Sequence, residues 1–305
     1  MALTKAGRTP DSRSSLKARD TIAGYLFIAP SLVGFVLFSL FPLVLTLILS
    51  VSEWNLVSGL KGIHLVGFGN FRELMTDPSF WDSLKNNFKF VLFALPALLV
   101  LSFTLAILIQ KFAYGKKLFK TIFFFPYISS VVAIATVWRV IFQPSYGPIN
   151  QILMSIGVQN PPKWLLDPNW ALPTIAMMYI WQELGYYILI FVTGLQSISD
   201  TLYEAAEIDG ANRWQQIRHI TIPLVSPTTF FLFITGMIST FKIFDAVHIL
   251  TQGGPGTSVL VYYLYKVSFQ YYRIGYGSAI AVVLFLIVFA ITAAQMKMQK
   301  RWVHY

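Results

Sequence analysis

The chain contains no cysteine and few charged residues. Only 12% of its 305 residues are charged, and 13 are acidic. The absence of cysteine excludes disulfides and thiolate metal ligands, and the isolated histidines have no metal-ligand spacing, so no metal site is predicted. The few acids are scattered among different loops and helices instead of being clustered with a nucleophile or a base. No catalytic site is therefore predicted.

A phosphate-binding loop is also missing. No segment has the GxxxxGK[ST] pattern. Gly115-Lys116-Lys117 lacks both the upstream glycine and the final hydroxyl residue. We therefore predict that this chain binds no cofactor, and that any ATP used by the protein is bound by another chain.

Apolar sequence is abundant. Hydrophobic residues make up 56% of the chain and the mean hydropathy is +0.63, which exceeds what a soluble core would bury. A helix needs about 20 apolar residues to cross a bilayer, and six nearly charge-free runs fit that length. We therefore predict an all-α membrane protein with six transmembrane helices. The six runs are residues 21–52, 90–110, 118–142, 171–195, 224–250 and 278–296.

Lys and Arg are concentrated on one side of the predicted bundle. Because basic residues in short loops tend to stay in the cytoplasm, we predict that both termini are cytoplasmic. Lipid headgroups beside the spans explain the net charge of +10, so we predict contact with membrane lipid and no nucleic-acid partner. The deciding residues are Lys5, Arg8, Arg13, Lys17, Arg19, Lys111, Lys116, Lys117, Lys120, Arg213, Arg218, Lys297, Lys300 and Arg301.

Four regions follow from this topology. A basic cytoplasmic tail is predicted at 1–20 and the first transmembrane helix at 21–53. A core of five helices is predicted at 84–296, followed by a cytoplasmic C-terminal tail at 297–305.

The connection between the fourth and fifth predicted spans, residues 200–223, is acidic and rich in small residues. Thr201 and Glu204 have the spacing of a capping box, which predicts a short helix beginning at Thr201. Asp200, Glu204 and Glu207 lie at i, i+4 and i+7, so one helical face carries three carboxylates. The segment is either a solvated, capped helix or a docking surface for a basic cleft of another protein, and we favour the docking surface.

A turn and a second short helix are predicted within the same connection. Asp209-Gly210 is a turn signal, and a second helix can begin at Arg213. Pro223 fits the first turn of the fifth span, where its missing N–H costs little.

This connection resembles the signature loop of bacterial ABC importer permeases. That signature is EAA, three residues, glycine, nine residues and Ile-x-Leu-Pro, and the sequence departs from it at Ile222, where leucine is usual. The resemblance implies a type I ABC importer transmembrane domain. It also implies that the loop enters a cleft on a separate subunit, which binds ATP and Mg²⁺. The residues assigned to ATPase coupling are Glu204, Ala205, Ala206, Asp209, Gly210, Ile220 and Pro223.

Further segments are similar to the carbohydrate branch of that family, the first permease subunits of maltose, glycerol-phosphate and multiple-sugar importers. The resemblance implies a second homologous permease in a heterodimer, two ATP-binding cassette subunits and an extracytoplasmic solute-binding protein as partners. The segments are Ile28-Ala29-Pro30, Phe41-Pro42, Gly69-Asn70-Phe71, Phe124-Phe125-Pro126, Gly147-Pro148-Ile149-Asn150 and Leu250-Thr251-Gln252-Gly253-Gly254-Pro255-Gly256.

Polar residues within the predicted spans mark a candidate substrate pathway, because ionisable groups at membrane depth are costly and face a partner or a watery cavity. Hydrogen-bonding groups and rings together suit a sugar. The alternatives are that Lys242 and Asp245 neutralise each other in helix five, that Arg139 reaches the interface, and that the aromatic residues only pack. The candidates are Tyr179, Gln182, Glu183, Tyr187, Phe241, Lys242, Phe244 and Asp245.

Together, these features predict the permease subunit of an ATP-driven importer that moves a sugar or sugar derivative from an external binding protein across the cytoplasmic membrane. An ATP-independent secondary transporter or channel is the alternative, and it would need no docking loop. A membrane-embedded enzyme would need the clustered active site that the sequence lacks.

Overall fold

The computed structural model describes residues 12–112, 115–254 and 256–302. Residues 1–11 and 303–305 of the two predicted tails lie outside the described residues. Within the described ranges, five helices are long and apolar enough to cross a membrane, and a sixth span is present if one bent pair of helices counts as a single span. The prediction of an all-α, multi-span membrane protein is therefore confirmed. Helices suit these apolar segments because a spanning backbone must satisfy its own hydrogen bonds.

The first span is made of α1 (Ser12–Phe35) and α2 (Phe41–Ser50), joined by a π-helical turn at Val36–Leu40. Most of its side chains are exposed within this chain. Only its α2 half packs extensively against the remainder, mainly against the last helix, α15 (Ile274–Trp302). The first span therefore leaves a long apolar face for lipid or another subunit.

The centre of the bundle is α8 (Pro168–Gln196), which packs against α4 (Pro78–Phe112) and α5 (Lys116–Ile128). Small residues permit close approach of membrane helices, and Gly185 of α8 is such a residue. A Cβ at this position would lie 2.0 Å from the Phe123 carbonyl oxygen. The contact between α5 and α8 therefore depends on the missing side chain.

Two predicted spans are not continuous helices. In the third span, α5 ends at Ile128 and α6 (Val131–Ile141) leaves at 94°. In the fifth span, residues 242–244 separate α12 (Ser226–Phe241) from α13 (Asp245–Leu250). The sequence predicted spans over 118–142 and 224–250, and it did not predict that their helices are interrupted.

Side chains satisfy backbone groups at both breaks. The Ser129 hydroxyl donates to the Phe125 carbonyl at 2.8 Å, beside Pro126, which has no N–H. At the second break, Asn87 of α4 donates to the Phe241 carbonyl at 3.3 Å. Because these groups supply hydrogen bonds that the broken helices lack, the breaks are tolerated within the membrane.

The short elements lie at the two ends of the bundle. At one end, two strands form an antiparallel pair that the all-α prediction did not include. The elements of this end are β1 (Ser52–Glu53), 3₁₀ turns at Leu56–Ser58 and Leu60–Gly62, β2 (His64–Leu65), α3 (Gly69–Thr76), α7 (Pro148–Ser155), α14 (Leu260–Tyr265) and a π-helical turn at Lys266–Gln270. The opposite end holds α9 (Asp200–Ile208), α10 (Arg213–Gln216), a π-helical turn at Ile217–Thr221 and α11 (Ile222–Leu224).

Candidate functional sites

The loop between the fourth and fifth spans contains the two short helices predicted from the sequence. The first helix, α9, begins at Asp200 with Ser199 at its N-cap, one residue earlier than predicted. The predicted capping box of Thr201 and Glu204 is therefore wrong. The Ser199 hydroxyl instead lies 2.8 Å from the Thr201 hydroxyl.

Gly210 produces the bend between the two helices. Its φ of +77° lies in the left-handed region that favours glycine, and its N–H donates to the Glu207 carbonyl at 3.0 Å. A Cβ here would meet no atom within 4 Å, so the turn is open on its outer side. The second helix then begins at a capping box in which Asn212 and Gln215 exchange hydrogen bonds of 2.7 and 3.0 Å.

Three carboxylates of the loop line a groove of about 570 Å³ between α9 and the nearby ends of α4 and α5. They are Asp200, Glu204 and Glu207, which confirms that the predicted spacing places them on one side. All three are exposed, and none forms an ion pair with a residue that the structure describes. The Gln110 side-chain oxygen in the same groove is buried and accepts no hydrogen bond from a residue that the structure describes. The groove can therefore accept a basic, hydrogen-bonding group.

The loop also exposes two large apolar side chains. Ile208 is 87% exposed and Trp214 is 68% exposed. An aromatic and an aliphatic side chain beside unpaired carboxylates are typical of a protein interface. Sequence reasoning emphasised the acids and missed these two residues, although both are visible as apolar positions in an otherwise polar loop.

The other residues assigned to coupling have different environments. Ala205 and Asp209 are exposed, and Ala206 is half-buried. Ile220 packs partly against the main hydrophobic core, and Pro223 lies in the first turn of α11. The loop is thus exposed at its EAA segment and anchored to the bundle at its Ile-x-Ile-Pro segment.

The breaks in the third and fifth spans meet at a small membrane pocket. Its volume is about 180 Å³, and Val131, the first residue of α6, lies in its wall beside residues of α8 and of the break between α12 and α13. Interrupted helices at membrane depth are a recurring way to build transport sites. Six predicted pathway residues line this pocket: Tyr179, Gln182, Glu183, Lys242, Phe244 and Asp245.

The polar residues of the pocket differ in burial. The Tyr179 hydroxyl is buried and makes no hydrogen bond to any residue that the structure describes. Gln182 is buried and Glu183 is half-buried. Lys242 and Asp245 are exposed and form no ion pair with each other, because they lie at opposite ends of the helix break. The pocket therefore offers hydrogen-bond donors and acceptors beside aromatic rings.

Two predicted pathway residues lie elsewhere. Tyr187 is buried, and its hydroxyl lies against Gly236, where a Cβ would be 2.4 Å away. Phe241 is fully buried and packs edge-on against Phe88, with ring centroids 5.4 Å apart. The structure thus places both in helix packing. Arg139 is exposed near the end of α6 and does not line the pocket.

Comparison with known proteins gives concordant matches. The family described as "binding-protein-dependent transport system inner membrane component" matches residues 99–304. The chain is 36% identical to the probable ABC transporter permease protein YesP of Bacillus subtilis (strain 168), over 99% of this chain and 98% of that one. It is 34% identical to the lactose transport system permease protein LacF of Rhizobium radiobacter, over 93% of this chain and 96% of that one.

A solved structure has the same fold. It is a chain of a bacterial alginate ABC transporter in complex with an alginate pentasaccharide-bound periplasmic protein. The TM-score is 0.82 at 24% sequence identity, and the match covers 95% of this chain and 98% of that chain.

Proposed function

Since the chain belongs to the family of binding-protein-dependent transport system inner membrane components, we propose that it conducts a sugar or sugar derivative as the permease subunit of an ATP-driven importer. The observation that carries this proposal is the exposed loop around Gly210, where unpaired carboxylates and the side chains of Ile208 and Trp214 face the solvent. The names of the lactose and alginate transport proteins support a carbohydrate as the cargo.

The loop transmits the motion of a separate ATPase subunit. Ile208 and Trp214 supply apolar anchors for a cleft on that subunit, and the carboxylate groove accepts a basic side chain from it. Because the loop is fixed to the bundle at Ile220 and Pro223, a displacement of its outer part moves the cytoplasmic ends of the helices. ATP and Mg²⁺ are held by the ATPase subunit.

The membrane pocket forms one wall of the sugar pathway. Tyr179, Gln182 and Glu183 offer hydrogen bonds from α8, and Phe244 offers a ring on which the C–H face of a sugar can stack. Lys242 and Asp245 remain exposed in this chain, so a second, homologous permease supplies the facing wall. Alternating access follows when the two permeases rock against each other around this site.

The complete transporter contains this chain, the second permease in a heterodimer, two ATP-binding cassette subunits and an extracytoplasmic solute-binding protein. Both termini of this chain lie in the cytoplasm, on the same side as the loop. The distribution of Lys and Arg supports this orientation. The solute-binding protein delivers the sugar to the opposite mouth.

Reconstitution tests the proposal. The chain, a second permease, the ATPase subunits and a candidate receptor are placed in lipid vesicles, and uptake of a panel of labelled sugars is measured with ATP on the loop side. We expect uptake that needs ATP, the receptor and one class of sugar. If the purified chain alone moves solute down an ion gradient without an ATPase, the protein is a secondary transporter and the proposal is wrong.

The pocket is tested in the same vesicles. Gln182→Ala and Asp245→Ala are expected to lower sugar uptake and change sugar selectivity without altering assembly. Unchanged uptake and selectivity in both variants would remove these residues from the pathway.

A further inference from the structure

Helix α3 carries two unlike stripes at the bundle end opposite the Gly210 loop. Asn70, Leu74 and Asp77, the residue after the helix, are spaced at i, i+4 and i+7 and point into the protein. Asn70 is 6% exposed and Leu74 is fully buried. Phe68, the N-cap residue, shares the opposite stripe with Arg72 and Met75. Phe68 is 78% exposed and Met75 is 59% exposed.

Hydrogen bonds fix the inward side of α3 to the spans. The Asn70 amide donates to the carbonyls of Ser50 at 3.0 Å and Ser52 at 2.9 Å, where the first span ends. Asp77 accepts a hydrogen bond of 2.6 Å from the hydroxyl of Tyr276, near the start of α15. These hydrogen bonds hold α3 in an orientation that leaves its outward stripe exposed.

An ion pair adds to this attachment. Glu73 and Arg273 form two hydrogen bonds of 2.7 Å each. The Arg273 guanidinium also lies 4.7 Å from the centre of the Tyr276 ring. Such bidentate pairs fix orientation, so α3 cannot turn its apolar stripe inward without breaking them.

The position of α3 along the bundle matches the boundary between hydrocarbon and water. It is tied to the last turn of the first span and to the first turn of the last span. Exposed aromatic side chains occur in neighbouring segments of the same end: Trp81, Phe269, Tyr271 and Tyr272. Amphipathic rings of this kind are enriched where a membrane protein meets the headgroup region.

The chemistry of the outward stripe matches a phospholipid. Arg72 lies between Phe68 and Met75 on that stripe and forms no ion pair with a residue that the structure describes. A guanidinium pairs well with phosphate oxygens, while the aromatic and thioether side chains suit the upper acyl chains. A soluble receptor that leaves after each cycle would return this apolar stripe to water, whereas lipid covers it at all times.

We propose that the Phe68–Arg72–Met75 stripe is an interfacial anchor, which lies in the leaflet opposite the Gly210 loop and binds phospholipid headgroups through Arg72. This inference depends only on the chain spanning a membrane and is independent of what it transports. The anchor holds the connection between the first and second spans at the membrane surface.

Because the chain has no cysteine, a single introduced cysteine can be labelled specifically, and this allows a direct test. Phe68→Cys and Met75→Cys are made in the full chain, labelled with a nitroxide and reconstituted in vesicles of phosphatidylethanolamine and phosphatidylglycerol. The collision rates of the nitroxide with oxygen and with a water-soluble nickel complex then report the depth of the label in the bilayer. Leu286→Cys, on the exposed side of α15, is the lipid reference, and Lys163→Cys, in an exposed loop at the same end as α3, is the water reference.

We expect the ratio of oxygen to nickel collisions at positions 68 and 75 to be several-fold higher than at 163 and lower than at 286, as for labels at the boundary between headgroups and hydrocarbon. Water-like ratios at both positions would overturn the proposal. Immobilisation of the labels only after addition of a solute-binding protein would also overturn it, because the stripe would then be a receptor surface. Both substitutions are at exposed positions, and gel filtration confirms that each labelled chain is folded.

A second measurement isolates the headgroup contact. The detergent-solubilised chain is titrated with phosphatidylglycerol, and the shift in its apparent melting temperature is recorded. We expect a stabilising shift for the native chain and for Arg72→Lys, and a much smaller shift for Arg72→Gln. Inorganic phosphate should cause no shift. An equal shift in Arg72→Gln, or an equal effect of free phosphate, would exclude a lipid headgroup site at Arg72.

Discussion

Gly210 and Gly185 show how differently the loop and the membrane interior use a glycine. At Gly210 the backbone needs a φ of +77°, and a Cβ would meet no atom within 4 Å. At Gly185 a Cβ would lie 2.0 Å from the Phe123 carbonyl oxygen. The loop thus keeps an open surface, whereas the interior is already filled by the chain itself.

The carboxylates differ in the same way. Those of the loop are exposed to water, where a charge costs little, and they form no ion pair with a residue that the structure describes. Glu183 lies within a membrane-spanning helix, where a charge is costly without a partner or a watery cavity. We therefore expect the loop to recognise another subunit, and the pocket to bind a ligand that passes through the membrane.

The largest expected effect is from Gly210→Asp. Aspartate tolerates a left-handed conformation, so the loop still folds, but its docking surface gains a bulky charge. We expect sugar uptake by the reconstituted transporter to fall roughly 100-fold, the size of a lost interface hot spot. The apparent melting temperature of the chain should change little.

Gly157→Asp is the matched control for this substitution. Gly157 also has a positive φ, +95°, and a Cβ there meets nothing within 4 Å. It lies at the opposite end of the bundle, after α7. An equal loss of uptake in both variants would mean that backbone strain, rather than docking, causes the effect.

Gly185→Ala should damage the fold instead of the coupling. The added methyl group forces α5 away from α8, and overpacking of this kind costs about 1–3 kcal/mol. We expect a clearly lower apparent melting temperature in detergent. Gly24→Ala, at a position with nothing within 4 Å, is the control and should be neutral or stabilising. A native-like melting temperature for Gly185→Ala would contradict the close contact.

Glu183→Gln tests the pocket with a smaller expected effect. Removal of one charge-assisted hydrogen bond, about 1.5 kcal/mol, should reduce sugar uptake about tenfold while leaving assembly intact. Asp82→Asn, which removes an exposed carboxylate that does not line the pocket, should have no effect. If the two variants behave alike, Glu183 does not contact the substrate.

The smallest expected effect is at Asp77, between α3 and α4. Burial alone would raise the pKa of this carboxyl. Hydrogen bonds from Tyr263, Tyr276 and two backbone amides together lower the pKa by more than burial raises it, so the pKa lies below its ordinary value. A depressed pKa contributes stability above the unfolded pKa, and that stability is lost as pH falls through the folded pKa.

Asp77→Asn should therefore lower stability at neutral pH by about 1 kcal/mol. It should also flatten the loss of stability below about pH 4, the ordinary range of an Asp carboxyl. Thermal unfolding of both chains across that range measures the difference. Parallel pH profiles would show that the Asp77 carboxylate contributes nothing to the fold.

The structure of the loop could be predicted from the sequence because the residues that determine it are close together in the chain. The spacing of Asp200, Glu204 and Glu207 and the Asp209-Gly210 turn each predict structure within a few residues. The sequence predicted a capping box at Thr201, but α9 begins after Ser199, and the capping box within the loop is at Asn212, at the start of α10. Ser199 and Thr201 are both residue types that favour an N-cap. Local chemistry alone did not choose between them.

The pocket could be predicted from the sequence only in part. Ionisable residues at membrane depth led to the prediction of Glu183, Lys242 and Asp245 as pathway residues, and all three line one pocket. The helix breaks that form it were missed, since residues around Lys242 are compatible with a helix. The carbonyl left at the end of α12 is satisfied by Asn87, which is 154 residues earlier in the chain. Such a distant partner leaves no signal in a local pattern.

One measurement tests the separation of loop and pocket most directly: ATP hydrolysis by the reconstituted transporter, with and without receptor and sugar, for the native chain, Gly210→Asp and Glu183→Gln. We predict that Gly210→Asp fails to retain the ATPase subunit and loses receptor-stimulated hydrolysis. Glu183→Gln should retain the ATPase subunit and basal hydrolysis but lose most sugar-dependent stimulation. Full receptor- and sugar-stimulated hydrolysis in Gly210→Asp would contradict the account, because the loop would then have no role in coupling.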